Sequence, residues 1–285
     1  WGPGEAVYVP IGHVDAEGVR RPDQIPTAAT KSLLGRLLTD DRLQRFAQNW
    51  KFDARVLMTH GWEVLAPTGD PMIAAHLLDA VDRNYGLDAL ARKHLNHAMI
   101  PFAEALGDRP NFGAVDLPEA TRYAAEDADA TLRLAIGLAQ AVEAADLNRV
   151  YRTMELPLSR VLVRMEAHGI RLDAAHLNEL SVELGERTAA LEIEAHKLAG
   201  EPFNLGSPKQ VGTILFERLG LPAGKKTKSG YSTDASVLQK LADEGHELPA
   251  VLLRWRHDAK LRNTYAEVLP KLIGPEGRIH TRYLQ

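Results

Sequence analysis

Hydrophobic and polar positions follow two rhythms along this chain, and the rhythm changes near residue 147. Ala-Val-Tyr-Val-Pro-Ile-Gly-His, Ala6 to His13, reads as a strand, with Pro10 marking an edge or a bend. A helix is predicted over 30–38 and a short strand-like stretch over 46–49. The spacing over 51–60 predicts another helix, stopped by Gly61. Trp62-Glu-Val-Leu-Ala-Pro reads as a further strand, and 70–81 and 87–95 as helices, with Asp70 and Asp88 placed as caps. Asp116-Leu-Pro-Glu supplies an N-cap and a first-turn proline, and so opens a long helix. Strands alternating with helices predict a layered α/β first half.

From about residue 147 the strand signal nearly vanishes. One long helix is expected over 147–168, with Pro157 as a kink and Gly169 as its end. A second runs over 174–198 up to Gly200. A third opens at Ser207 with Pro208 in its first turn and runs to Leu219. Gly224-Lys-Lys-Thr-Lys-Ser-Gly is a mobile basic loop by composition. Thr233-Asp-Ala-Ser caps another helix, and the last spans 249–269. Residues 278–284 alternate like a strand with no partner nearby in the chain.

Composition narrows the class. The 285 residues are 45% apolar and 25% charged, which is ordinary for a globular chain, and the length favours two domains. The absence of cysteine excludes disulfides and thiolate metal sites. A net charge of −4 argues against a uniformly basic nucleic-acid binder and leaves room for a local basic patch. No apolar run approaches the roughly 18 residues that cross a bilayer, so no membrane partner is expected. No signal-peptide pattern follows Trp1. Opening on Trp1 and closing on Gln285, the chain is expected to be a piece of a longer protein.

The helix opened by Asp116 carries the first oddity. Ala120, Tyr123, Ala124, Asp127, Thr131, Leu134 and Leu138 recur at three or four residues and form one face, while Glu126, Asp129 and Arg133 lie where water solvates them. Asp127 thus falls in the apolar stripe, where an unpaired carboxylate is costly. Tyr123 lies one turn earlier, and a phenol beside a carboxylate suits a water already acidified by an ion. A half-exposed Asp127, or one paired to an arginine, fits the same pattern.

Asn49 and Asp53 stand four apart where a strand is expected to enter a helix. That suits either a functional strand end or a plain helix cap. Carboxylates from separated elements could hold a divalent ion through oxygen, as Mg²⁺ prefers, although two acids fall short of a two-ion site. In the second half Arg256 and Lys260 share a helix face, with Arg254 and Arg262 nearby and Asp258 the acid between them. That pattern is also common on plain solvated faces. The 11 histidines form no metal-ligand pair on a helix, and Trp50, Trp62 and Trp255 read as packing residues.

Longer stretches carry a resemblance. Gln48-Asn-Trp-Lys-Phe-Asp and Arg122-Tyr-Ala-Ala-Glu-Asp-Ala-Asp resemble the proofreading exonuclease domain of family A DNA polymerases, the bacterial DNA polymerase I family. Similarity continues at Glu201-Pro-Phe-Asn-Leu-Gly-Ser-Pro-Lys-Gln, at Lys225-Lys-Thr-Lys-Ser-Gly-Tyr-Ser-Thr, at Leu261-Arg-Asn-Thr-Tyr, at Leu269-Pro and at Gly277-Arg-Ile-His-Thr. The resemblance implies an α/β, ribonuclease H-like exonuclease domain over 1–145 with its first strands missing. A mainly α-helical thumb with its base follows over 146–285 and ends before the palm carboxylates.

By that resemblance Asp53 and Asp127 are metal-holding acids, Tyr123 assists the attacking water, and Asn49 supports the second motif. The resemblance implies two divalent ions in the complete site, Mg²⁺ or else Mn²⁺ or Zn²⁺, held by four acids. The first pair of acids is expected ahead of Trp1. Asp15-Ala-Glu has the spacing of that pair but sits in a loop-like context and is not taken for it. The implied activity is hydrolysis of the terminal phosphodiester at the 3′ end of a single strand. Lys225, Lys226, Lys228, Arg256, Lys260 and Arg262 are implied to grip primer–template duplex. A monomer in the bacterial cytoplasm, associated with the nucleoid, is the matching expectation. Two other readings stay open: a free-standing exonuclease of the tyrosine subclass acting on RNA or DNA ends, and a non-catalytic DNA-binding scaffold.

Overall fold

The computed structural model describes residues 2–15, 17–223, 226–227 and 230–284, with only the backbone of 226–227. The chain divides into two compact units, Trp1–His168 with Thr281–Gln285, and Gly169–His280. The division between these compact units falls after His168. Leu156 of the helix that precedes it belongs to the first unit's largest core, and Val163 packs with Trp50 and Ala54. Among the described residues no helix is long and apolar enough to cross a membrane.

The first unit is built on helices α1 Thr27–Thr39, α2 Trp50–Thr59, α3 Pro71–Leu78, α4 Leu87–Leu90, α5 Phe102–Leu106, α6 Leu117–Ala144, α7 Asn148–Val150 and α8 Leu156–His168. The longest, α6, buries Leu134, Leu138 and Val142 against Ile73 and Leu90, and its alanines at 120, 130 and 135 permit close approach. Asp116 takes its N-cap position without capping it, because its carboxylate pairs with Arg109 at 3.1 Å.

The strands expected at 6–13, 46–49 and 62–67 do not form. Among the described residues this unit has only isolated bridges, Val14 with Arg20 and Phe46 with Gly69. An extended segment becomes a strand only when a neighbour takes its N–H and C=O groups, and Val7 and Ile11 stay exposed. The α/β layering is therefore not visible in the described residues.

The helix expected over 147–168 is broken into α7, a π-helical turn Tyr151–Glu155 and α8. Pro157 has no N–H for the Thr153 carbonyl and its ring crowds that oxygen. A widened turn absorbs the misfit where a kink was expected.

The second unit starts with β1 Ile170–Arg171 and α9 Ala174–Ala199, capped by the Asp173 carboxylate on the His176 N–H and stopped by left-handed Gly200. It continues through α10 Pro208–Gly212, β2 Lys226–Thr227, β3 Gly230–Tyr231, α11 Ala235–Asp243, α12 Glu247–Leu261 and β4 Arg278–Ile279. Leu191, Leu215, Leu238 and Leu252 meet in its core.

Two expectations change here. The basic stretch contributes a short antiparallel pairing, Lys226 opposite Tyr231 and Thr227 opposite Gly230, while Gly224, Lys225, Lys228 and Ser229 lie outside the described residues. The closing strand does have a partner. Ile279 pairs with Ile170 and Arg278 with Arg171, antiparallel. Proximity in sequence could not reveal a partner at the other end of the unit.

Candidate functional site

In the first unit Asp53 of α2 and Asp127 of α6 converge, while Tyr123 and Asn49 are not among the residues that line their cleft. Asp53 and Asp127 line one cleft of about 510 Å³, together with Phe46, Gln48, Leu87 and Thr131. Asp53 stands in the first turn of α2, and Asn49 at the helix N-cap adopts a left-handed backbone, φ 55°, without capping through its side chain. The plain-cap alternative for Asn49 is therefore not what the structure uses.

Both carboxylates are poor anions here. Burial pushes Asp53 up to about 6, helped by the charge of Asp70. Asp127 is also pushed up to about 6, first by burial and then by Asp88 and Glu126, against a lowering hydrogen bond from Tyr123. The Tyr123 phenol is pushed up to about 12 by burial and by Asp127, so it stays protonated and can donate. Its ring packs against Phe102 and Phe112 at centroid distances of 6.0 and 5.6 Å.

These shifts carry a sign. An acid whose pKa is higher folded than unfolded favours the fold while protonated, so its contribution is complete below about 4 and is lost as pH rises through about 6. In chelator, Asp127→Asn should therefore melt progressively higher than wild type as pH rises from about 4 to about 6, with a constant gap above that. Thermal melts across pH check this, and a gap of equal size at both ends would contradict it.

Several acids hold different places from those expected. Glu126 is not merely solvated: it accepts from the Ile100 N–H at 2.7 Å and contacts His97 Nε2 at 2.8 Å. Asp88 lies in the first turn of α4 behind an N-cap of Gly86, and its charge is felt at Asp127 and Tyr123. Asp15 accepts from the N–H groups of Glu17 and Val19 in its own turn. Asp70 does cap α3, and also reaches α2. The influence of Asp70 on Asp53, and of Asp88 on Asp127, has no local signature in the sequence, whereas Glu126 adjoins Asp127 directly.

The donor chemistry fits a hard divalent ion in part. Asp53 and Asp127 offer oxygen ligands, and their pKa values, raised chiefly by burial and further by neighbouring acids, would be lowered by a bound cation. Among the described residues, however, no group of three or more potential ligands is assembled.

In the second unit Arg256 and Lys260 line one cleft of about 610 Å³ with Thr233, Asp234, Trp255 and Asn263. Arg256 is half-buried, donates to the Thr233 carbonyl, and reaches the Thr233 hydroxyl at 3.2 Å. Burial lowers its pKa from the ordinary arginine value. Asp258 does not balance this face: it is buried and pairs with Arg187 of α9 at 2.9 Å. Arg262 is not in this cleft either, since it pairs with Glu267 at 2.9 Å and packs over Gly185. Lys226 lies on β2, and Lys225 and Lys228 are outside the described residues.

Comparison with known proteins matches both units. Residues 6–143 match the 3'-5' exonuclease family and residues 174–285 match DNA polymerase family A. A DNA polymerase I of Rhizobium leguminosarum is 43% identical over 98% of this chain, and one of Pseudomonas aeruginosa 42% over 99%. The chain spans 28% and 31% of those two relatives' lengths. Among solved structures, the POL domain of Pol1 from M. smegmatis, in complex with DNA primer-template and dNTP, superposes with a TM-score of 0.79. It is 31% identical, and the match covers 92% of this chain and 44% of that one. Two successive family matches, and similarity across nearly all of this chain to relatives of one kind, leave a single assignment: the chain belongs to DNA polymerase family A, an exonuclease segment followed by a polymerase-family segment.

Proposed function

We propose that the first unit forms part of a metal-dependent 3′→5′ exonuclease, a ribonuclease H-like domain in the complete protein, and that the second is a thumb that grips duplex DNA. One observation carries the excision reading: Asp53 and Asp127, from separate helices, share a cleft, with Tyr123 one turn before Asp127 on α6. Asp53 and Asp127 would hold the divalent ions. When bound, those ions lower the pKa of water and stabilise the leaving oxygen of a phosphodiester. Tyr123 keeps its proton and would orient the water through its hydroxyl, its ring held in place by Phe102 and Phe112. Asn49 supports the entry to α2. The test is excision from a 3′-labelled single strand by the complete protein, with Mg²⁺ or with chelator, and with Asp127 replaced. Excision that ignores both changes would overturn the reading.

The thumb reading rests on Arg256 and Lys260 sharing an open cleft from which Asp258 is turned away. The M. smegmatis neighbour, which holds primer-template, supports the same choice. Interactions of this kind are made to phosphates and carry no sequence preference. Neutralising Lys225, Lys226 and Lys228 together should flatten the salt dependence of duplex binding, by about 0.9 in the log–log slope for each phosphate that is no longer neutralised. An unchanged slope removes these lysines from the interface. A free-standing RNA exonuclease is disfavoured, because nothing in that activity calls for the second unit.

A further inference from the structure

Asp70 is an enclosed carboxylate close enough to influence Asp53, and the chemistry above gives it no task. It is 1% exposed. One of its oxygens accepts from the N–H of Met72 at 2.9 Å and of Asn49 at 3.1 Å, and the other accepts from Trp50 at 2.9 Å. Its backbone is fixed as well. The Asp70 N–H donates to the Tyr151 hydroxyl at 2.7 Å, and that hydroxyl donates back to the Asp70 carbonyl at 3.2 Å.

Capping α3 needs only the bond to Met72. The other two bonds reach to the beginning of α2, where Asn49 is held left-handed and offers no side-chain cap of its own. The N–H groups there have no partner within the helix, and the Asp70 carboxylate supplies one. This fixes the residue at which α2 starts. A start displaced by one residue turns every following side chain by about 100°, which would carry Asp53 away from the cleft.

We propose that Asp70 is a positioning residue for excision: it sets the start of α2 and thereby aims Asp53 into the cleft lined by Asp127. This rests on the excision reading above. The test is Asp70→Asn in the complete protein. The amide keeps the shape of the side chain but sets an N–H donor against a backbone N–H. The expected result is a kcat for single-strand excision lowered about 10- to 100-fold with KM within about twofold. Amide hydrogen exchange should quicken at Asn49 and Trp50 and stay unchanged along α6. A variant that melts lower yet keeps wild-type kcat well below its melting temperature overturns the proposal and leaves Asp70 a structural cap.

If Asp70→Asn does not fold, Tyr151→Phe decides, since it keeps the carboxylate and removes only the hydroxyl that holds its backbone. A several-fold loss of kcat at constant KM supports the proposal, and no loss overturns it. Asp127→Ala runs alongside as the control. Excision surviving in that control overturns the excision reading, and the exchange rates at Asn49 and Trp50 still decide whether Asp70 sets the helix start.

Discussion

Asp127→Ala in the complete protein is expected to lower 3′ excision by about 10³-fold or more while the domain stays folded. The two halves of that result have one physical source. Asp127 sits on the inward side of α6, half-buried, with Asp88 and Glu126 adding negative charge, so its carboxylate is an electrostatic burden to the fold. A residue that burdens the fold and faces a cleft is one whose removal should cost activity and not stability. Without divalent ion, the variant should melt at or above wild type near neutral pH. The assay is single-turnover release from a 3′-labelled strand, paired with a thermal melt. Full metal-dependent excision by the variant would sink the assignment of Asp127, and the absence of a melting transition would recast it as a structural residue.

Glu166→Ala should do the opposite and destabilise the first unit by about 3–5 kcal/mol, because it strands a buried ammonium. The Lys51 Nζ lies 2.7 Å from the Glu166 carboxylate, and the two side chains are 11% and 7% exposed. Glu166 also accepts from the Tyr283 N–H at 3.0 Å, and Lys51 donates to the Tyr283 carbonyl. Losing the acid therefore leaves a cation with one neutral partner, and releases one hydrogen bond on the segment 281–284. Replacing both partners by apolar residues, Lys51→Met with Glu166→Leu, should recover most of the loss. Equilibrium denaturation of the single and double variants measures the coupling. A single variant as stable as wild type would show that the ammonium finds water.

Much of α6 is legible in the sequence because its information is local. A three-to-four-residue period, a first-turn proline and an inward carboxylate can all be read within one helix, and they locate Tyr123 and Asp127 without any knowledge of what packs against them. The same holds for α9, whose Asp173 and Gly200 mark both ends. What stays hidden is non-local. Lys51 reads as a helix-opening residue, and nothing in its neighbourhood announces Glu166 on α8. Asp70 reads as a cap, which is correct for α3, but its bonds to Asn49 and Trp50 follow from packing alone. Residues 6–13 alternate as a strand should, yet alternation records a preference for an extended backbone and cannot supply the neighbour that completes a ladder.

The pairing of β1 with β4 has an evolutionary reading. The second unit leaves and rejoins the rest of the chain through one hydrogen-bonded pair, Ile170 beside Ile279 and Arg171 beside Arg278. Everything between these residues is an excursion with clasped ends. Closing such a loop costs entropy that grows only slowly with its length. Residues can thus be added or removed inside the excursion without moving the points where it joins, as at sites where whole domains are spliced into others. Between lineages, length changes should gather inside the clasp and spare its two short strands.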